Sequence, residues 1–124
     1  MKQPNQEPKL KSKIESISGV RFMRLSGRID HTNASGFMKD LEQLAEDLAQ
    51  NEPLIIDFTE LVFITSAGLR ALFVLKKELD EGEKKFAVTQ LKGDVAEIFR
   101  ITGFDALIPT TDTSDEAVAL VSGS

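Results

Sequence analysis

The feature that most constrains the fold is a change of hydrophobic period that repeats along the chain. Pro53-Leu54-Ile55-Ile56-Asp57-Phe58 is a short apolar run broken only by Asp57, the pattern of a strand covered on both faces. Before it, between Thr32 and Gln50, Phe37, Leu41, Leu44 and Leu48 recur at steps of four, three and four and so form one stripe of a helix. Thr32 or Asn33 stands where a cap is needed, and Lys39, Glu42, Glu46 and Asp47 occupy the rest of the cylinder as a solvated face. After it, Ser66 to Glu81 returns to helical spacing, with Gly68, Leu72, Leu75 and Leu79 on one side and Gly82 as the terminator. A buried strand flanked by two amphipathic helices needs a sheet with helices packed on it.

The remaining segments extend the same alternation. Leu10, Ile14 and Ile17 read as a first strand, Ser18-Gly19 as a turn, and Val20, Phe22 and Leu25 as a second strand ending at Gly27, so the chain opens with a hairpin. Phe86-Ala87-Val88 is a further strand, followed by a helix capped by Asp94 that carries Val95, Ile98 and Phe99 and stops at Gly103. A last short strand is expected near Leu107-Ile108. Thr113-Ser114-Asp115-Glu116 then has the form of a capping box before a final helix holding Val118, Leu120 and Val121. The expected fold class is α/β, with a mixed sheet of about four to five strands packed against about four helices. Residues 1–8, with Pro4 and Pro8, are expected to be a flexible tail, 9–121 the domain and 122–124 a short C-terminal tail.

With 124 residues the chain has room for one core and not for a catalytic domain beside a substrate domain. Its 15 basic and 20 acidic residues leave a net charge of −5, which argues against direct binding to nucleic acid or anionic lipid and in favour of a protein partner. The absence of cysteine removes disulfides, thiolate nucleophiles and thiolate metal sites, and fits the cytoplasm. No apolar run approaches the ~20 residues of a membrane span, so no membrane insertion is expected. His31, the single histidine, sits beside Asp30 before the first helix, outside any metal-ligand spacing, and no P-loop, dinucleotide or zinc-protease motif is present. Neither an enzyme nor a cofactor is expected.

What remains is the passage from strand to helix, Asp57-Phe58-Thr59-Glu60-Leu61-Val62-Phe63-Ile64-Thr65-Ser66-Ala67-Gly68-Leu69-Arg70. Ser66 lies at or next to the N-cap, and spacing alone leaves two readings open. Its hydroxyl can serve simply as a cap for orphan amides. The same hydroxyl can instead be within reach of a modifying enzyme, beside small residues, Ala67 and Gly68, that let another backbone approach. Gly68 is expected to support a close approach, either to the domain's own sheet or to a partner.

This stretch resembles the signature of the STAS domain, shared by sulfate transporters and anti-sigma factor antagonists. In that family a strand ending in Asp leads through a hydrophobic connection to Asp-Ser-[Ser/Ala]-Gly-Leu at a helix start, and Asp57, Ser66, Ala67, Gly68 and Leu69 match, with Thr65 in place of the usual acidic residue. Two further segments resemble the family. One is Leu25-Ser26-Gly27-Arg28-Ile29-Asp30 before the first helix. The other is Phe99-Arg100-Ile101-Thr102-Gly103-Phe104-Asp105-Ala106-Leu107-Ile108, with Phe99 in place of leucine.

The resemblance implies a phosphorylation switch. Ser66 would be the phosphoacceptor, with Thr65 a secondary candidate, and Asp30, Thr32, Thr65, Ser66, Gly68, Leu69 and Arg70 the partner-binding set. The partner would be an anti-sigma factor that is also a serine kinase of the histidine-kinase-like ATPase fold. Only unphosphorylated protein would bind it and relieve its inhibition of a sigma factor or other target, and a metal-dependent serine/threonine phosphatase would restore that form. The alternative within the same family is a binding subunit of a transporter or other regulatory complex that is not phosphorylated.

Overall fold

The computed structural model describes residues 9–123, so the tail expected at 1–8 lies outside the described residues, as does Ser124. The chain begins with β1 (Lys11–Ile17) and β2 (Val20–Ile29), which pair antiparallel from Ile17 opposite Val20 to Lys11 opposite Ser26. Ser18 and Gly19 both take positive φ, 52° and 82°, as a two-residue hairpin turn with the right twist requires. Helix α1 (Ala34–Asp47) follows, then β3 (Leu54–Ile64), α2 (Ser66–Glu81), β4 (Phe86–Thr89), α3 (Gly93–Thr102), the one-turn α4 (Phe104–Leu107), β5 (Thr110–Thr111) and α5 (Ser114–Ser122). The strands form one sheet in the order β1-β2-β3-β4-β5, antiparallel only between β1 and β2. This is the expected mixed sheet opened by a hairpin, with five helices among the described residues.

Alternation along the central strands divides the core in two. Met23, Leu25, Leu54, Ile56, Phe58, Phe86 and Val88 face one way and share a cluster with the expected stripes, Phe37, Leu41 and Leu44 of α1 with Leu48 at its end, and Leu72, Leu75 and Leu79 of α2, joined by Leu69. Val95 and Phe99 of α3 complete that layer. Val20, Phe22, Ile55 and Ala87 face the other way, where Ala117 and Val121 of α5 cover them. Each fully buried Leu, Ile or Phe here is worth about 1.5–3 kcal/mol. Phe58 and Phe99 meet edge to face with centroids 5.8 Å apart, and Phe104 continues the chain of rings to Phe73 of α2 at 6.4 Å.

Several local expectations are corrected. β2 does not stop at Gly27 and the third strand does not stop at Phe58; both run on to residues 29 and 64, through two places where the β2–β3 register slips by one residue. Gly27 has φ 91°, and a Cβ there would lie 2.0 Å from the Lys9 carbonyl oxygen, so only glycine fits this irregular crossing of the strand and the incoming chain. No strand forms at Leu107-Ile108: after Gly103, at φ 79°, the chain makes the α4 turn, and pairing with β4 resumes at Thr110. Lys92 rather than Asp94 is the N-cap of α3, Asp94 lying within its first turn. In α5 the capping box of Thr113 and Glu116 forms as expected, but Leu120 is 49% exposed while Ala117 packs inward.

Candidate functional site

The site is built by the parallel pairing of β2 and β3. Their last residues, Ile29 and Ile64, lie side by side, and the next amide, that of Thr65, donates to the Ile29 carbonyl at 3.0 Å. Helices α1 and α2 therefore start next to one another at the carboxyl end of the sheet, where ligands and partners of open α/β folds commonly sit.

The turn into α1 is organised by Asp30. Its Oδ1 accepts from the Thr32 amide at 2.9 Å and from the Thr32 hydroxyl, its Oδ2 accepts from Arg28 Nε at 3.3 Å, and its carbonyl accepts from the Ala34 amide at 3.0 Å. These donors, the Thr32 hydroxyl foremost, then the Thr32 amide and Arg28, hold the Asp30 carboxyl below the range of an ordinary aspartate, although its partial burial works in the opposite direction. The expectation that Thr32 or Asn33 caps α1 through its side chain is not met. Asn33 occupies the N-cap position, but its side chain accepts from the Asp30 amide at 2.9 Å and donates to the Arg28 carbonyl at 3.0 Å, bracing the loop instead. Arg28 also stacks over the Phe63 ring at 4.5 Å and so ties β2 to β3 just before the loop.

At the start of α2 the two adjacent hydroxyls have different surroundings. Thr65 is the N-cap: it is half-buried, in extended backbone, and its Oγ1 accepts from the Gly68 amide at 3.4 Å. Ser66 is the first helical residue, is exposed, and makes no side-chain hydrogen bond among the described residues. Gly68 lies beneath them against the sheet, where a Cβ would come within 2.8 Å of both Ile29 Cγ2 and Ile64 Cγ1. The close approach is thus to the domain's own side chains. Leu69, 1% exposed, points into the core, while Arg70 returns to the surface.

Between α1 and α2 lies a groove of about 600 Å³ lined by His31, Ser35, Met38, Lys39 and Glu42 on one wall and by Ser66, Ala67 and Arg70 on the other. The structure gathers Asp30, Thr32, Thr65, Ser66 and Arg70 at this end of the molecule and turns Gly68 and Leu69 inward. Sequence reasoning missed the bracing role of Asn33, the contact of Arg28 with Asp30 and Phe63, and the α1 wall of the groove. Parallel pairing of the two strands would have brought them into view, but the sequence carries no direct sign of it. Among the described residues no group of three or more His, Asp or Glu could hold a metal ion, and no helix is long and apolar enough to cross a membrane.

Comparison with known proteins agrees with this fold. The model of the STAS domain matches residues 11–117. BtrV of Bordetella bronchiseptica, named as an anti-sigma factor antagonist, is 29% identical over 115 residues, covering 89% of this chain and 93% of that one. The crystal structure of an anti-sigma factor antagonist from Mycobacterium paratuberculosis superposes with a TM-score of 0.81 at 26% identity, over 98% of this chain and 99% of the other. The Bacillus cell fate determinant SpoIIAA in its phosphorylated form shares the fold, with a TM-score of 0.64 at 18% identity, over 90% and 99% of the two chains.

Proposed function

The chain belongs to the STAS-domain family, and on that premise we propose that it is an anti-sigma factor antagonist-like switch set by phosphorylation of Ser66. Unphosphorylated, it binds an anti-sigma factor that is also a serine kinase of the histidine-kinase-like ATPase fold, and relieves the inhibition that this partner exerts on a sigma factor or other target. Phosphorylation by the same partner ends the association, and a metal-dependent serine/threonine phosphatase reverses it. The chain is then substrate and ligand, not catalyst. The names of BtrV and of the Mycobacterium paratuberculosis protein support the general role.

The observation that carries this reading is the division of labour between two neighbouring hydroxyls. Thr65 supplies the cap, so the exposed Ser66 hydroxyl is not needed to hold α2 together and can be modified without loss of a structural hydrogen bond. A phosphate there adds about −1.5 to −2 charge at neutral pH, next to the positive end of a helix whose first turn contains no acidic residue. The fold tolerates that charge. A contact surface made of Asp30, Thr32, Thr65, Ser66 and Arg70 does not, because the dianion must be desolvated or repelled when the partner packs on it. Gly68 and Leu69 act from below, by setting how closely α2 lies on the sheet.

Incubation with the cognate kinase and ATP, followed by mapping of the phosphate by mass spectrometry, tests the assignment. Phosphate is expected on Ser66 and absent from Ser66→Ala. Phosphate mainly on Thr65, or undiminished labelling of Ser66→Ala, contradicts it.

A further inference from the structure

The groove beside Ser66 is lined by basic side chains that have no counterpart. His31 and Lys39 line one wall and Arg70 the other. Among the described residues none of the three takes part in an ion pair or a side-chain hydrogen bond, whereas Arg21, Arg24, Arg28, Lys76 and Arg100 are each paired with a carboxylate. Among the described residues Glu42 is the only carboxylate in the lining, so Lys39 and Arg70 leave the groove positive within a chain of net charge −5. Arg70 lies one helical turn after Ser66, on the same face of α2. Neither α1 nor α2 has an acidic residue in its first turn, so their adjacent N-termini add to the positive potential.

We infer that a phosphate on Ser66 turns into this groove and is held within the chain by His31 of the loop before α1 and Lys39 of α1 together with Arg70 of α2. Phosphorylation then closes the groove to a partner, in addition to changing the charge at its rim. Rotation about the Ser66 side-chain bonds swings the phosphoryl oxygens towards α1, and the long stems of Lys39 and Arg70 let their heads follow. Phosphate and guanidinium or ammonium make short, charge-assisted hydrogen bonds that also link the two helices. The titratable groups that line the groove are His31 from the loop before α1, Lys39 and Glu42 from α1 and Arg70 from α2, and Asp30 lies beside it in the same loop as His31, its carboxylate already engaged by Thr32 and Arg28. Glu42 opposes the phosphate; the three bases favour it. This inference rests on Ser66 as the modified residue but not on which enzyme modifies it.

The test uses protein with phosphoserine installed at position 66 by chemical synthesis and ligation, so that no kinase is involved. Phosphorus NMR follows the second ionisation of the phosphate, and proton–nitrogen NMR follows His31, in the native sequence and in the double variant His31→Gln, Lys39→Ala. Both substitutions are at exposed positions. The phosphate is expected to ionise about half a unit or more below the ~6 of a free monoester, and to move back towards that value in the double variant. His31 should titrate about half a unit or more higher when Ser66 is phosphorylated. Equal phosphate ionisation in the native and doubly substituted proteins, the result if the helix N-terminus alone acts, would overturn the inference. So would a His31 titration that phosphorylation leaves unmoved. Failure of any kinase to label Ser66 would sink the proposed function but not these titrations.

Discussion

The Thr65 hydroxyl accepts the Gly68 amide at 3.4 Å while the Ser66 hydroxyl beside it has no partner among the described residues. Two adjacent side chains of nearly the same chemistry thus have different surroundings, one capping the helix and one exposed without a bond. Thr65→Ala should lower the unfolding free energy by about 1 kcal/mol, the ordinary cost of losing an N-cap. Ser66→Ala should change it by less than about 0.5 kcal/mol, as at other exposed sites without a bond to lose. Urea unfolding followed by far-ultraviolet dichroism measures both, and a larger cost for Ser66→Ala would reverse the roles.

Gly68 sets the seat of α2 on the sheet. Alanine there gains up to about 1 kcal/mol of helix propensity, but its Cβ meets the Ile29 and Ile64 methyl and methylene groups at 2.8 Å. These are branch atoms near the backbone, so they cannot swing aside, and overpacking of this kind costs about 1–3 kcal/mol. Gly68→Ala should therefore be destabilised by about 1 kcal/mol net, and Gly68→Leu by more. Melting temperatures of both variants at or above that of the native protein would show that the contact carries no load.

The parts of this architecture that were legible in the sequence are those set by local period. Phe37, Leu41, Leu44 and Leu48 are all buried, as their spacing requires, and so are Leu72, Leu75 and Leu79. Leu54 to Phe58 is a central strand, but its continuation to Ile64 was hidden because Thr59 and Glu60 are exposed and the register slips break the alternation. The last short strand lies at Thr110-Thr111, just beyond Leu107-Ile108, since the four residues of α4 hold too little periodicity to mark where the turn ends and the strand begins. Ser66 stands out in the sequence through its motif and Thr65 through its position beside it. The groove was not, because Lys39 and Arg70 are brought to one cavity by long-range strand pairing alone.

The Asp30 turn makes the site sensitive to acid. Its carboxyl is held below the ordinary value in the folded chain by the Thr32 hydroxyl and amide and by Arg28. A folded pKa below the unfolded one means that this stabilisation is fully present above the unfolded value of about 3.9 and is lost as pH falls through the folded value. Carbon NMR titration of the Asp30 carboxyl should show the lowered pKa, and Thr32→Val should raise it by removing the foremost donor. An unchanged titration in Thr32→Val would show that the hydroxyl does not hold the carboxylate.

The switch is tested most directly by the affinity of the cognate anti-sigma factor kinase for the chain with and without phosphate on Ser66, measured by calorimetry at one salt concentration. Loss of about 3 kcal/mol on phosphorylation corresponds to binding weakened by roughly a hundredfold. That loss is expected with far-ultraviolet dichroism unchanged, with Ser66→Asp intermediate because a carboxylate carries less charge than a phosphate, and with Ser66→Ala binding persistently. Equal affinity of the phosphorylated and unphosphorylated proteins would contradict the switch, even with the phosphate on Ser66.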